Sequence, residues 1–306
     1  MIIQSVNDLI GKTPLMQISG YALPEGTRIV AKLEMFNPGG SIKDRLGVKL
    51  IETGFLEGTI NKDTTIIEPT AGNTGIGIGM AALKYGLKMI FVVPEKFSQE
   101  KQMLMRVLGA EVVNTPTAEG IKGAVQKAKA LSASSEHTYL PLQFENPLNP
   151  QTYYETLGPE IVKDLDGEQI TAFVAGAGSG GTFSGVSRYL KEKWPEVRTV
   201  VVEPEGSIIA GGPPGPHDTE GIGMESIPEF MSDQSYDAVH TITDQEAFYY
   251  TRELARRNGL FVGSSSGAAF AAAVKEAQQL PPGSLIVTVF PDGSERYLSQ
   301  DIYKER

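Results

Sequence analysis

Lys43 lies in the run Asn37-Pro38-Gly39-Gly40-Ser41-Ile42-Lys43-Asp44-Arg45. The Pro-Gly-Gly stretch predicts a turn, and the charged residues after it the first turn of a helix. A lysine so placed has its stem fixed at the root, and the turn leaves room for a flat group against the backbone. That suits an amine that condenses with a carbonyl to form a Schiff base. Such an amine must first lose its proton, and burial lowers a lysine pKa from its reference of about 10.4. The same nine residues also describe an ordinary solvated turn, and three further segments bear on the choice.

Gly176-Ala177-Gly178-Ser179-Gly180-Gly181-Thr182 follows the strand-like Thr171-Ala172-Phe173-Val174 and opens a helical pattern. Backbone N–H groups at such a helix start point at an anion, and glycines let it approach. Gly178, Ser179, Gly180, Gly181 and Thr182 would therefore hold a phosphate, the two hydroxyls adding donors. Gly176, Gly178 and Gly181 also satisfy G-x-G-x-x-G, and Glu203 ends the next strand where a ribose-binding acid would stand. An NAD-dependent dehydrogenase is the competing reading of this segment. Glu68-Pro69-Thr70-Ala71-Gly72-Asn73-Thr74-Gly75 follows Thr64-Thr65-Ile66-Ile67 and precedes a small-residue helix pattern over 76–83. Gly263-Ser264-Ser265-Ser266-Gly267 precedes an alanine-rich helix pattern over 268–277.

These segments need elements to position them, and strand-like and helix-like runs alternate along the chain. Strands are predicted over 28–33, ending at 66–67, and over 89–93, 111–113, 172–175, 199–202 and 285–290. Helices are predicted over 43–54, 73–85, 98–108, 118–132, 181–193, 244–258 and 265–280. Such alternation predicts an α/β protein with parallel sheets and helices on both faces. The stretch 203–235, with Gly211-Gly212-Pro213-Pro214-Gly215-Pro216, is too long for a simple connection, and is either functional or a surface excursion.

The chain has 306 residues, 41% hydrophobic and 21% charged, which is ample for a packed core. A formal charge of −10 argues against nucleic acid or an anionic membrane as partner. No apolar run reaches the length of a membrane span, and the first residues lack a secretory pattern, so a cytoplasmic location is expected. The absence of cysteine excludes disulfides, thiolate zinc sites and a cysteine nucleophile. It also fits an enzyme that handles sulfur, since no thiol of its own competes for an electrophile. His137, His217 and His240 are far apart in the sequence and stand in no metal-ligand spacing, so no metal is expected.

Taken in order, the four motifs resemble those of the cysteine synthase and cystathionine β-synthase family, the fold-type II enzymes that use pyridoxal 5'-phosphate (PLP). The likeness runs from Ile10-Gly11-Lys12-Thr13-Pro14-Leu15 to Phe290-Pro291-Asp292 and is closest to the bacterial O-acetylserine-dependent cystathionine β-synthases. It leaves the dehydrogenase as a remote alternative. The resemblance implies two doubly wound domains of the tryptophan synthase β type, with PLP between them. Residues 1–39 plus 146–306 would form the large one and 40–145 a small mobile one. A homodimer acting on small amino-acid and thiol substrates is implied likewise.

By resemblance, Lys43 would carry the cofactor and serve as the base at the substrate Cα. Asn73 would bond the cofactor's ring hydroxyl. Thr70, Ala71, Gly72, Asn73 and Thr74 would bind the substrate carboxylate, aided by Gln143, although Thr70 or Asn73 would serve equally as a plain helix cap. Family members often have serine where this chain has Ala71. Ser265 aligns with the serine at the pyridine nitrogen, with Ser264 and Ser266, one residue away on either side, as alternatives. A hydroxyl there cannot keep the nitrogen protonated as a carboxylate would, so loss of a β-substituent should outrun racemisation or transamination. The implied reaction converts O-acetyl-L-serine or L-serine to an α-aminoacrylate, to which a thiol adds. Glu220-Gly221-Ile222-Gly223 bears on which thiol. Cysteine synthases commonly have glutamine at the first position, and cystathionine-forming members glutamate. Glu220 could pair with the amino group of L-homocysteine, so cystathionine formation is expected, with sulfide and cysteine synthesis as the alternative.

Overall fold

Runs rich in valine and isoleucine become strands, and the segments between them helices, in the computed structural model, which describes residues 2–70, 72–232 and 236–305. The first elements are β1 (Leu15–Ile18), β2 (Arg28–Leu33), α1 (Lys43–Leu56), β3 (Thr65–Pro69) and α2 (Asn73–Leu83). Then follow β4 (Lys88–Pro94), α3 (Gln99–Val107), β5 (Glu111–Thr115), α4 (Gly120–Ala133) and β6 (Thr138–Tyr139). Next come α5 (Leu148–Glu155), α6 (Leu157–Asp164), β7 (Ala172–Gly176), α7 (Gly181–Lys193) and β8 (Arg198–Pro204). The last are β9 (Ala238–Ile242), α8 (Asp244–Asn258), α9 (Ser264–Ala277) and β10 (Leu285–Phe290).

The chain divides into two compact units. One comprises Met1–Ile10 and Asn37–Leu148, the other Gly11–Phe36 and Asn149–Arg306. The resemblance assigns the N-terminal segment to the larger domain, whereas its first ten residues fall in the unit that holds Lys43. The reason is local packing. Ser5 caps a short 3-10 turn over Val6–Leu9 in a capping box with Asp8. Ser5, Val6 and Asp8 then line a cleft of about 500 Å³ with Met80, Leu83 and Lys84 near the C-terminal end of α2.

The first unit holds a parallel sheet ordered β5-β4-β3-β6. Ile66 and Ile67 on β3 and Val92 and Val93 on β4 are fully buried, as expected of strands covered on both faces. The second unit holds a sheet ordered β1-β2-β10-β7-β8-β9. It is parallel except for β1, which pairs antiparallel with β2. All six residues of β10 are buried. The alanines of α9 lie buried in the same core, where Phe270 meets Tyr21, Tyr250 and Phe290 edge-on. The loops after β3 and β7 leave the carboxyl ends of parallel strands, where α/β proteins bind ligands.

Among the described residues, no helix is long and apolar enough to cross a membrane. The 203–232 part of the long loop is fixed rather than loose. Glu203, buried at the end of β8, accepts N–H groups from Ile209 and Ala210 and the hydroxyl of Thr241. Asp244 accepts from the backbone of Asp218 and Thr219 and from the Thr219 hydroxyl. The acid that a dinucleotide reading would place on a ribose is thus committed to its own loop.

Candidate active site

In the first unit, Lys43 is the first residue of α1. The turn before it is closed by Gly40 N–H on Asn37 O (2.7 Å), and the Asp44 carboxylate accepts from Gly39 N (2.6 Å). Helix α2 presses on the lysine's backbone: a Cβ at Gly77 would stand 2.3 Å from the Lys43 carbonyl oxygen. A side chain cannot be fitted there, so the α1–α2 crossing sets where the lysine stem starts. Lys43 is partly buried, and burial lowers its pKa to about 8, opposed by the negative charge of Glu68. The neutral amine is therefore reached at a lower pH than in a solvated lysine. Lys32 offers a contrast. It is fully buried, but its ammonium is held by Thr13 O (2.7 Å), Asp164 (2.6 Å) and Glu160 (3.3 Å).

The loop after β3 is organised around the Thr70 hydroxyl, which accepts N–H groups from Gly72 (3.0 Å) and Gly75 (3.3 Å). Gly72 occupies the N-cap of α2 with φ 140°, a conformation closed to other residues, and offers no side-chain cap. Asn73 is thus the first helical residue rather than the cap. Thr74 Oγ1 donates to Gln143 Oε1 at 2.9 Å, joining two residues expected at the substrate carboxylate. Ala71 lies outside the described residues.

In the second unit, Gly180 holds the N-cap of α7 in the left-handed region (φ 82°) without a side-chain cap, so no side chain of its own covers the helix start. A Cβ on Gly178 would lie 2.3 Å from Gly221 O, and one on Gly181 2.0 Å from Asn149 Oδ1. Only glycine fits this cradle, and its backbone is left to face an anion. Asn149 Nδ2 donates to Ser179 Oγ (2.9 Å), which fixes that hydroxyl at the start of α7. Thr182 is partly exposed in the first turn of α7. The loop carrying Glu220 crosses this cradle: Gly223 N–H bonds Ala177 O (2.9 Å), and Glu220 N–H bonds Ser264 Oγ (3.2 Å).

The three serines at the start of α9 separate by their surroundings. Ser264 is taken by the Glu220 backbone. Ser266 Oγ is buried without a hydrogen-bond partner. Ser265 Oγ lies 3.6 Å from the position a Cβ would take on Gly221. Glu220 is partly buried, and its Oε1 accepts from Gln300 Nε2 at 2.6 Å. Asp292 accepts from the buried Tyr297 hydroxyl nearby in sequence. Gln300 was not singled out from the sequence. It is 80 residues from Glu220, and nothing local marks it. Two histidines have structural partners: His217 Nδ1 with Thr219 O and His240 Nε2 with Glu276.

Residues 6–292 match the family described as pyridoxal-phosphate dependent enzyme. The chain belongs to this family. PLP is its cofactor, and its fold is that of the fold-type II PLP enzymes. It is 60% identical over 305 residues to a cysteine synthase of Helicobacter pylori (strain ATCC 700392 / 26695), covering 99% of both chains. It is 54% identical over 303 residues to an O-acetylserine dependent cystathionine beta-synthase of Bacillus subtilis (strain 168), covering 99% of this chain and 98% of that one. A crystal structure of an O-acetylserine dependent cystathionine beta-synthase from Helicobacter pylori superposes with a TM-score of 0.97 at 60% identity, over 99% of this chain and 100% of that one. This PLP-dependent chain is therefore a β-replacing enzyme, as those relatives are. Within the second unit the glycine cradle of 178–181 suits a phosphate, and within the first the depressed amine of Lys43 suits an aldehyde.

Proposed function

We propose that this PLP enzyme replaces the β-substituent of O-acetyl-L-serine, or of L-serine, with L-homocysteine and so forms cystathionine. PLP, when bound, supplies an electron sink for the pair left at the substrate Cα. In this reading Lys43 carries the cofactor, and its amine removes the Cα proton. Gly178, Ser179, Gly180, Gly181 and Thr182 hold the phosphate, Asn73 the ring hydroxyl and Ser265 the pyridine nitrogen. Thr70, Gly72, Thr74 and Gln143 receive the substrate carboxylate. Ala71 is part of that assignment from sequence alone.

One observation carries the choice of nucleophile. Glu220 is an acid beside Gly221, with its backbone N–H on Ser264 and one carboxylate oxygen on Gln300, an arrangement that fixes a negative charge next to the proposed ring site. A carboxylate so held is suited to an ammonium, which homocysteine has and sulfide lacks. The Bacillus subtilis relative and the Helicobacter pylori structure bear names of the same sense. Cysteine synthesis with sulfide is the second reading, favoured by the name of the 60% identical relative. Glu220→Gln decides between them. Loss of a charge-assisted bond of about 1.5–3 kcal/mol should lower kcat/KM for homocysteine roughly 10- to 100-fold and leave that for sulfide unchanged. Equal effects on both nucleophiles would favour the second reading. A homodimer in the cytoplasm belongs to the proposal too, and the exposed Met103, Leu104 and Val107 on α3 offer an apolar face for a second copy.

A further inference from the structure

Glu68 is a fully buried carboxyl group, its pKa pushed up to about 8 by that burial, that the reaction just described leaves without a task. It stands near the carboxyl end of β3, one strand residue before the loop that begins at Thr70. The ladder between β3 and β6 is short, pairing only Thr65 with Thr138 and Ile66 with Tyr139. Beyond it the chain leaves the sheet, and Glu68 takes over the pairing with its side chain. Oε2 accepts the Leu142 N–H at 2.7 Å, and Oε1 accepts the Gln143 N–H at 3.1 Å. Leu142 has φ 48°, a left-handed conformation unfavourable for leucine, so this turn requires something to hold it. The carboxylate supplies that, and Thr74 on α2 fixes the Gln143 side chain through Oε1. Backbone and side chain of Gln143 are thus clamped from two elements.

We propose that Glu68 is a positioning residue whose carboxylate holds residues 142–143 so that Gln143 and the start of α2 receive the substrate carboxylate. The inference rests on the assignment of Gln143 to that carboxylate. Glu68→Gln tests it, because an amide offers one acceptor oxygen where two N–H groups need two. The expected result is a KM for O-acetyl-L-serine raised tenfold or more, with kcat changed less than threefold and the KM of the thiol unchanged. Amide hydrogen exchange at Leu142 and Gln143 in the cofactor-free protein should accelerate together. Adding Leu142→Gly, which removes the backbone strain, should recover at least a third of the lost affinity. Faster exchange with an amino-acid KM within twofold of the parent would reduce Glu68 to a brace of the fold and overturn the proposal. An unchanged KM in Gln143→Ala would instead show that the underlying assignment fails. If Glu68→Gln does not fold, Glu68→Asp keeps the carboxyl group but falls short of the two N–H groups, and the same two results decide.

Discussion

At the scale of single residues, the proposed chemistry turns on the charge of one amine. Burial lowers the Lys43 pKa to about 8, so the protonated, unreactive form dominates below that pH and the neutral form above it. Capture of PLP by the cofactor-free protein should accelerate about tenfold per pH unit up to 8 and then level off. A stopped-flow absorbance titration would show this, and a rate still climbing at pH 10 would contradict it. Lys43→Ala should lower turnover by at least about a thousandfold while far-UV circular dichroism stays that of the parent. Retained β-replacement would remove Lys43 from the reaction. The placements of Lys43 and the 178–182 glycines at helix starts were legible because each signal is local, a lysine after a Gly-Gly turn and glycines between a strand and a helix. Glu68 with Gln143 and Glu220 with Gln300 were not legible as pairs. Each joins positions separated by 75 and 80 residues, and only the fold brings them together.

At the scale of elements, the tightest constraint is the crossing of α1 and α2. A Cβ at Gly47 would lie 2.2 Å from the backbone of Gly77, and one at Gly77 would meet the Lys43 carbonyl. Gly77→Ala should therefore destabilise by about 1–3 kcal/mol in urea unfolding and also reduce turnover, since the lysine stem must shift. An unchanged midpoint with full activity would show that the crossing yields freely. The predicted bounds of β2, β10, α7 and α8 coincide with those observed, each being a long periodic or apolar run with clear stops. The Thr243–Glu246 capping box and Gly259 in the left-handed region bracket α8. Helices α5 and α6 escaped prediction because Pro150 and Gly158-Pro159 read as breakers. Proline in a first helical turn removes no bond the helix needs. Strand β6 has two residues, too few for a pattern, and β1 turns antiparallel in a sheet expected to be parallel throughout.

At the scale of the whole molecule, the chain is an acidic PLP enzyme of two α/β units. The order of motifs was enough to read the family, because glycine loops and a lysine turn keep their chemistry in the local sequence. The thiol was harder to read, since it depends on the setting of a single acid in a long loop. A competition for limiting O-acetyl-L-serine between homocysteine and sulfide at equal concentration tests that point most directly, with cystathionine and cysteine quantified as products. Cystathionine in at least about tenfold excess, a difference of 1.4 kcal/mol, is the expected result. Cysteine in excess would contradict it, making the enzyme a cysteine synthase and Glu220 a loop charge.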